Sequence, residues 1–149
     1  MTAVIAETGL ASLMKTGSQA EHTEAESSAF MDALLKGQVN ETGYAEYLAA
    51  LRPIYVALEK VEAELADHPV VGTMIDQGLQ RVSAIEADLA HWAPEGVPAF
   101  HSDAVDAYVT RIEETVKNPI EFVAHHYTRY LGDLSGGQAI GALLGRAFG

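Results

Sequence analysis

The segment TGYAEYLAALRPIYVALEKVEAELA, Thr42 to Ala66, decides the fold class. Its apolar residues Tyr44, Tyr47, Leu48, Leu51, Tyr55, Leu58 and Leu65 recur mostly at three- and four-residue steps, which line one face of an α-helix. A half-buried strand would need alternation, and none is present. Pro53 falls inside the segment, where its missing N–H and its ring predict a kink.

Outward from this helix the same period continues. His68-Pro69 interrupts it, and it resumes helically at Ile75, Leu79, Val82, Ile85, Leu89 and Trp92. Ala93 to His101 holds Pro94, Gly96 and Pro98 and reads as a loop. Ser102 can cap a helix carrying Val105, Tyr108, Val109, Ile112 and Val116. Asn118-Pro119-Ile120-Glu121 has the order of a helix start, an N-cap followed by proline and an acid, and helix continues from there towards Gly149. On the N-terminal side, Lys36-Gly37 ends a short segment with Phe30, Met31, Leu34 and Leu35. A first helix spans about Thr8 to Ser27, with Thr8 as cap, an apolar stripe of Leu10, Leu13 and Met14, and Gly17 weakening it inside. There is no repeat and no low-complexity tract. The pattern predicts one all-α domain over residues 1–149, a multi-helix bundle.

Composition narrows the function. Forty-eight per cent of the 149 residues are apolar and 20% charged, as in globular chains. With no cysteine there is no disulfide, thiolate ligand or thiol nucleophile. The formal charge of −12, with nine Lys and Arg, argues against nucleic acid, whose phosphates need a basic face. No signal-like n-region and no run of roughly 20 apolar residues is present, so a cytoplasmic protein without a membrane anchor is expected. Hydrolase, phosphate-loop, dinucleotide and HExxH motifs are missing, and Asp88-x-x-His91 stands alone where a di-metal site needs two such pairs.

Two faces carry candidate chemistry. At 100° per residue, Lys15, His22 and Glu26 share an arc away from the Leu10 stripe, and Glu26 sits four residues from the imidazole. The arc reads either as a solvated polar face or as a metal-binding histidine oriented by a carboxylate. The segment YLGDLSGGQAIGALLG, Tyr130 to Gly145, holds glycines at 132, 136, 137, 141 and 145. Each costs a helix about 0.5–1 kcal/mol relative to alanine. Gly132, Asp133, Gly136 and Gly137 share an arc of about 140°, nearly bare of side chains but for one carboxylate. Close helix packing and a flat ligand against bare backbone both account for it, and Gly136-Gly137 would let the helix bend. His126 shares an arc with Phe122, Val123 and Tyr130 and reads as core, as does Tyr55, whereas His125 points to the surface. Tyr127, Thr128 and Arg129 are either ordinary helix surface or ligand contacts.

The stretch VAHHYTRYLGDLSGGQ, Val123 to Gln138, closely resembles the distal-helix signature of haem oxygenases. HTEAESSAFM, His22 to Met31, is similar to that family's proximal helix, and Lys36-Gly37-Gln38, Ile54 to Glu59, and Asp88-Leu89-Ala90 with Trp92 agree in order and spacing. The resemblance implies a haem-oxygenase-like bundle in which His22 is the iron ligand and Glu26 the acid beside its other nitrogen. Lys15 and Tyr127 would meet the haem propionates. Asp133 would be the distal carboxylate, able to relay a proton through water. Gly132, Gly136 and Gly137 would pack against haem, with Ser135 among the haem-binding positions. Thr128, Arg129 and Tyr55 would belong to the polar region near the distal pocket, and Gly132, Gly136, Arg129 and Tyr55 would count with Asp133 in the catalytic set. The implied activity is oxidative cleavage of haem, at once cofactor and substrate, to biliverdin, CO and ferrous iron for haem degradation and iron acquisition. It would use O₂ and an external electron donor, a ferredoxin or an NAD(P)H-dependent reductase.

Members of the family usually continue well past the glycine-rich helix, whereas this sequence stops at Phe148-Gly149, so a C-terminal truncation is expected. Lys15, with Tyr127 or Arg129, would then answer both propionates. Apolar faces left exposed on the Tyr44–Leu65 and Val105–Val116 helices would favour self-association or a second chain completing the fold. The alternative reading of the same helices is a non-catalytic haem binder or carrier.

Overall fold

The computed structural model describes residues 9–97 and 99–147. Thr8, Pro98 and the terminal Phe148-Gly149 lie outside the described residues. The protein is all-α, with no strand among the described residues. Two compact units divide the chain, Met1–Gln38 and Val39–Gly149.

The first unit holds α1 (Leu10–Gly17), α2 (Gln19–Glu26) and α3 (Ala29–Leu35). The single first helix expected from periodicity is therefore two. Gly17 supplies no side chain to favour helix, and at Ser18 the backbone leaves the helical region with φ −104° and ψ 5°. The Ser18 hydroxyl donates back to the Met14 carbonyl at 2.9 Å, which closes α1 locally. Lys15 and His22 thus sit on separate helices, and their shared arc does not survive the break. The α3 helix starts under a Ser28 cap and ends as the sequence predicts: Gly37 adopts φ +66°, Gly37 N–H reaches Leu34 O at 3.0 Å, and Gln38 N–H reaches Ala33 O at 2.9 Å.

The second unit is organised around α4 (Glu41–Glu64), capped by the Asn40 side chain and continuous through Pro53. It packs against α5 (Val82–Trp92) and α6 (Asp103–Glu114). Tyr55, Leu58, Val61, Ile112 and Phe122 are all but solvent-free, with Leu48, Ile85 and Leu89 close behind. Burying each large apolar side chain contributes roughly 1.5–3 kcal/mol, so the apolar stripe of α4 is the core. That narrows one expectation. Most of the Tyr44–Leu65 stripe is buried and Ile112 lies fully inside, while Tyr47, Leu51, Val105, Tyr108, Val109 and Val116 stay half-buried, so the apolar faces left exposed on those two helices are smaller than expected. Large exposed apolar residues occur elsewhere, Leu131 and Leu134 among them.

A second correction concerns residues 75–81, where helix is expected and short turns occur, including a 3₁₀ turn at Gln77–Leu79. Asp76 accepts from Gly78 N–H at 2.8 Å, holding a tight turn. The Glu59 carboxylate of α4 then accepts from Arg81 N–H at 2.7 Å and Val82 N–H at 2.9 Å, so a residue distant in sequence caps α5. Gly72 is required by packing, because a Cβ there would collide with the Ala66 carbonyl. Ser102 caps α6 as predicted, accepting from Val105 N–H at 3.4 Å.

The last stretch is one irregular helical run: α7 (Pro119–His126), a π-helical segment (Tyr127–Leu131) and α8 (Gly132–Ala147). Pro119 opens α7 as expected, but the Asn118 side chain makes no cap hydrogen bond. The irregularity also lies upstream of the expected bend. α8 passes through Gly136-Gly137 without interruption, while the π turn falls on YTRYL.

Candidate functional site

π turns recur where a helix must re-aim its side chains, and here the turn delivers Arg129 and Asp133 to one place. Arg129 Nη2 lies 3.5 Å from Asp133 Oδ2, across the junction with α8. The same guanidinium sits over the Tyr55 ring, 5.5 Å from its centroid. Tyr55 packs edge-on against Tyr130 at 5.6 Å. The structure therefore brings together three of the residues singled out from sequence, Tyr55, Arg129 and Asp133, with Tyr130 completing the cluster. Arg129 is turned inward in this arrangement, so its role as a propionate partner is not supported, and its Nε and Nη2 have no hydrogen bond.

Burial raises the Asp133 carboxyl to about 6, even with Arg129 nearby. A carboxylate so tuned can hold or release a proton close to neutral pH. Tyr47 is raised by burial and then by Asp133, with Arg129 opposing, and Tyr108 is raised by burial, again opposed by Arg129. Both tyrosines thus face the cluster. Neither was singled out as functional, because in α4 and α6 they read as members of apolar stripes. A small cavity of about 50 Å³ adjoins Asp133, lined by Gly78, Leu79, Arg81, Tyr130 and Leu134. That is room for water. Arg81 carried no sequence signal, since the turn that presents it was read as helix.

The glycine face is open. A Cβ built at Gly132, Gly136, Gly137, Gly141 or Gly145 would meet nothing within 4 Å. Close helix packing through small residues is therefore not what these glycines do among the described residues. The open backbone beside one carboxylate leaves the approach a flat ligand would need. Tyr127 is half-buried, while Thr128 and Ser135 are exposed on the same run.

In the first unit, His22 Nδ1 lies 3.5 Å from Glu26 Oε2 on α2, with both side chains about 60% exposed (61% and 62%). The carboxylate thus lies on the Nδ1 side of the ring, and Nε2 has no partner on α2. Lys15 is exposed on α1. His126 is core, as expected, but His125 is half-buried with Nδ1 3.3 Å from the Tyr108 hydroxyl, not at the surface. No cluster of three metal-ligating side chains occurs among the described residues, Asp88 and His91 included. No helix there is long and apolar enough to cross a membrane.

Comparison with known proteins gives this set of residues its context. The family model described as heme oxygenase matches residues 8–149. Heme oxygenase 1 of Pongo abelii is 38% identical over 146 residues, covering 94% of this chain and 50% of that protein. Two solved structures superimpose closely. Heme oxygenase-1 from the cyanobacterium Synechocystis, in complex with heme, gives a TM-score of 0.84 at 34% identity, covering 94% of this chain and 65% of that one. The heme oxygenase of Leptospira interrogans gives 0.85 at 32% identity, covering 94% and 70%. The chain belongs to the haem oxygenase family. It spans about half the length of the curated relatives it matches.

Proposed function

We propose that this chain binds haem and carries the residues that direct its oxidative cleavage to biliverdin, CO and ferrous iron. The observation that carries the reading is the open glycine face of α8 beside one proton-exchanging carboxylate, Asp133. Donor chemistry agrees: with Glu26 beside Nδ1, the Nε2 of His22 would be the nitrogen that holds iron. When bound, haem supplies both the oxygen-activating iron and the carbon skeleton that is consumed.

The protein's part is then definable residue by residue. His22 would hold the iron, and Glu26 would fix its tautomer. Lys15 and Tyr127 answer the propionates. Gly132, Gly136 and Gly137, with Thr128 and Ser135 alongside, would give haem an unobstructed backbone surface. Asp133 moves protons through water on that side, at a carboxyl whose value near 6 serves both directions. Arg129 and Tyr55 position Asp133 and do not react. The absence of a histidine on the glycine arc matters, because a distal imidazole would favour peroxidase chemistry.

O₂ and electrons from a ferredoxin or an NAD(P)H-dependent reductase complete the proposed reaction. The cysteine-free composition suits a reducing compartment, and we place the activity in the cytoplasm. The test is direct: the haem-loaded chain, given reductant in air, should exchange its Soret band for a bilin spectrum with release of CO. A Soret band that persists through many reductant equivalents would instead mark a haem carrier.

A further inference from the structure

The core of the second unit contains an ionisable pair that the proposed reaction has not used. Glu62, in the last turn of α4, is 3% exposed, and His126, at the end of α7, is 6% exposed. Glu62 Oε1 and His126 Nε2 are 3.4 Å apart, and that nitrogen makes no well-aligned hydrogen bond. Buried charges in a helical core are costly unless paired, and an apolar pair would fill this space at lower risk. Something else favours their retention.

Their neighbours indicate what. The His126 ring stacks on Tyr130 with centroids 4.6 Å apart. Tyr130 is itself 3% exposed, its hydroxyl lies beside Glu62 without a fully formed hydrogen bond, and its ring lines the cavity that Asp133 also lines. Among charged and titratable groups, Tyr130 and Glu59 bear on Glu62, and Arg81 bears on Tyr130. Contacts link these groups in the order His126, Glu62, Tyr130, the cavity, Asp133.

We propose that Glu62 and His126 form a buried proton store that resupplies Asp133 through Tyr130 and the cavity between them. The proposal rests on the assignment of Asp133 as the proton-handling residue. In each transfer Glu62 gives its carboxyl proton to the Tyr130 oxygen while the phenol proton passes to cavity water and on to Asp133. Bonds made and broken are all O–H, and no electrons move. His126 then returns a proton to Glu62 from Nε2 and takes one from solvent on its other nitrogen; its side chain is the more exposed of the two, 8% against 3%. Burial supports the energetics, raising Glu62 to about 7 and pulling His126 below its ordinary value, so one proton is shared near neutral pH.

The experiment has two arms on the full chain. Without haem, carboxyl ¹³C and imidazole ¹⁵N NMR titrations of wild type and of Glu62→Gln should show Glu62 and His126 titrating as a coupled pair near neutrality, with the His126 curve displaced by a full pH unit in the variant. With haem and reductant in air, Glu62→Gln and His126→Asn should keep haem affinity yet slow bilin formation at least tenfold, with the loss growing as pH rises above 7. If Glu62 titrates below 5 in wild type, or if both variants turn over at the wild-type rate and pH profile, the relay is wrong whatever the reaction. If the coupled titration appears but wild type forms no bilin, the reaction is wrong, and with it the relay's destination. The wild-type titration needs no variant to fold.

Discussion

Arg129 and Asp133 face each other at 3.5 Å across the point where π geometry gives way to α-helix. The guanidinium also covers Tyr55, so one side chain ties the carboxylate to the α4 core. Removing a cation from beside a carboxyl disfavours its charged form. Arg129→Met should therefore push Asp133 above its present value of about 6, and turnover at a fixed pH should change with it. Carboxyl NMR on the variant checks this. An unmoved titration would leave Arg129 a packing residue only.

Asp133→Ala removes the proton-exchanging group and leaves the neighbouring glycines in place. Haem affinity should change little, while bilin formation should fall by roughly 10²–10⁴, the contribution expected of a positioned acid–base. Normal bilin yield in the variant would remove Asp133 from the reaction.

Glycines 136 and 137 offer a separation of stability from function. Because an added Cβ meets nothing there, Gly136→Ala and Gly137→Ala should each stabilise α8, by about 0.5–1 kcal/mol. Gly136→Leu should weaken haem binding by at least tenfold without lowering the melting temperature. Thermal melts and haem titrations on the same samples test both halves, and equal haem affinity for the leucine variant would contradict the ligand-facing assignment.

Stability should carry the signature of the buried pair. Glu62 is raised from 4.5 to about 7, so the folded chain prefers it protonated and loses stability as pH rises through that window, with no further loss above it. His126 is lowered from 6.5, so it acts oppositely and costs stability as pH falls below its ordinary value. Glu62→Gln removes the first effect. Relative to wild type it should gain between pH 5 and pH 8, by up to roughly 3 kcal/mol at 1.36 kcal/mol per unit. Urea midpoints at the two pH values measure it; a pH-independent difference would contradict the buried carboxyl.

Much of this was legible in the amino-acid order. The α4 stripe, the Ser102 cap and the Gly37 stop follow from local rules, and His126 declared itself as core by sharing an arc with Phe122 and Tyr130. What escaped is tertiary. Helix α5 begins at Val82 because Glu59, two dozen residues earlier (22 and 23 positions from its partners), caps it. The break at Ser18 balances Gly17 against an otherwise continuous pattern, and no local signal weighs that. Glu62 looked like one more polar residue on α4, because periodicity cannot tell a buried acid from a solvated one until its partner on α7 is in place. Tyr55, Arg129 and Asp133 were named from resemblance, and only the π turn explains how residues on one helical run reach a common point. His22 and Glu26 were readable from spacing alone, as a pair four residues apart.

His22 is proposed to hold the haem iron, and the ferrous spectrum of the haem-loaded chain reports on that ligand. Wild type should show the signature of a neutral imidazole ligand, with Glu26 at Nδ1 and iron at Nε2. His22→Ala should lose that signature, and added imidazole should restore it. An unchanged spectrum in His22→Ala, lost instead when His125 or His126 is replaced, would contradict the account.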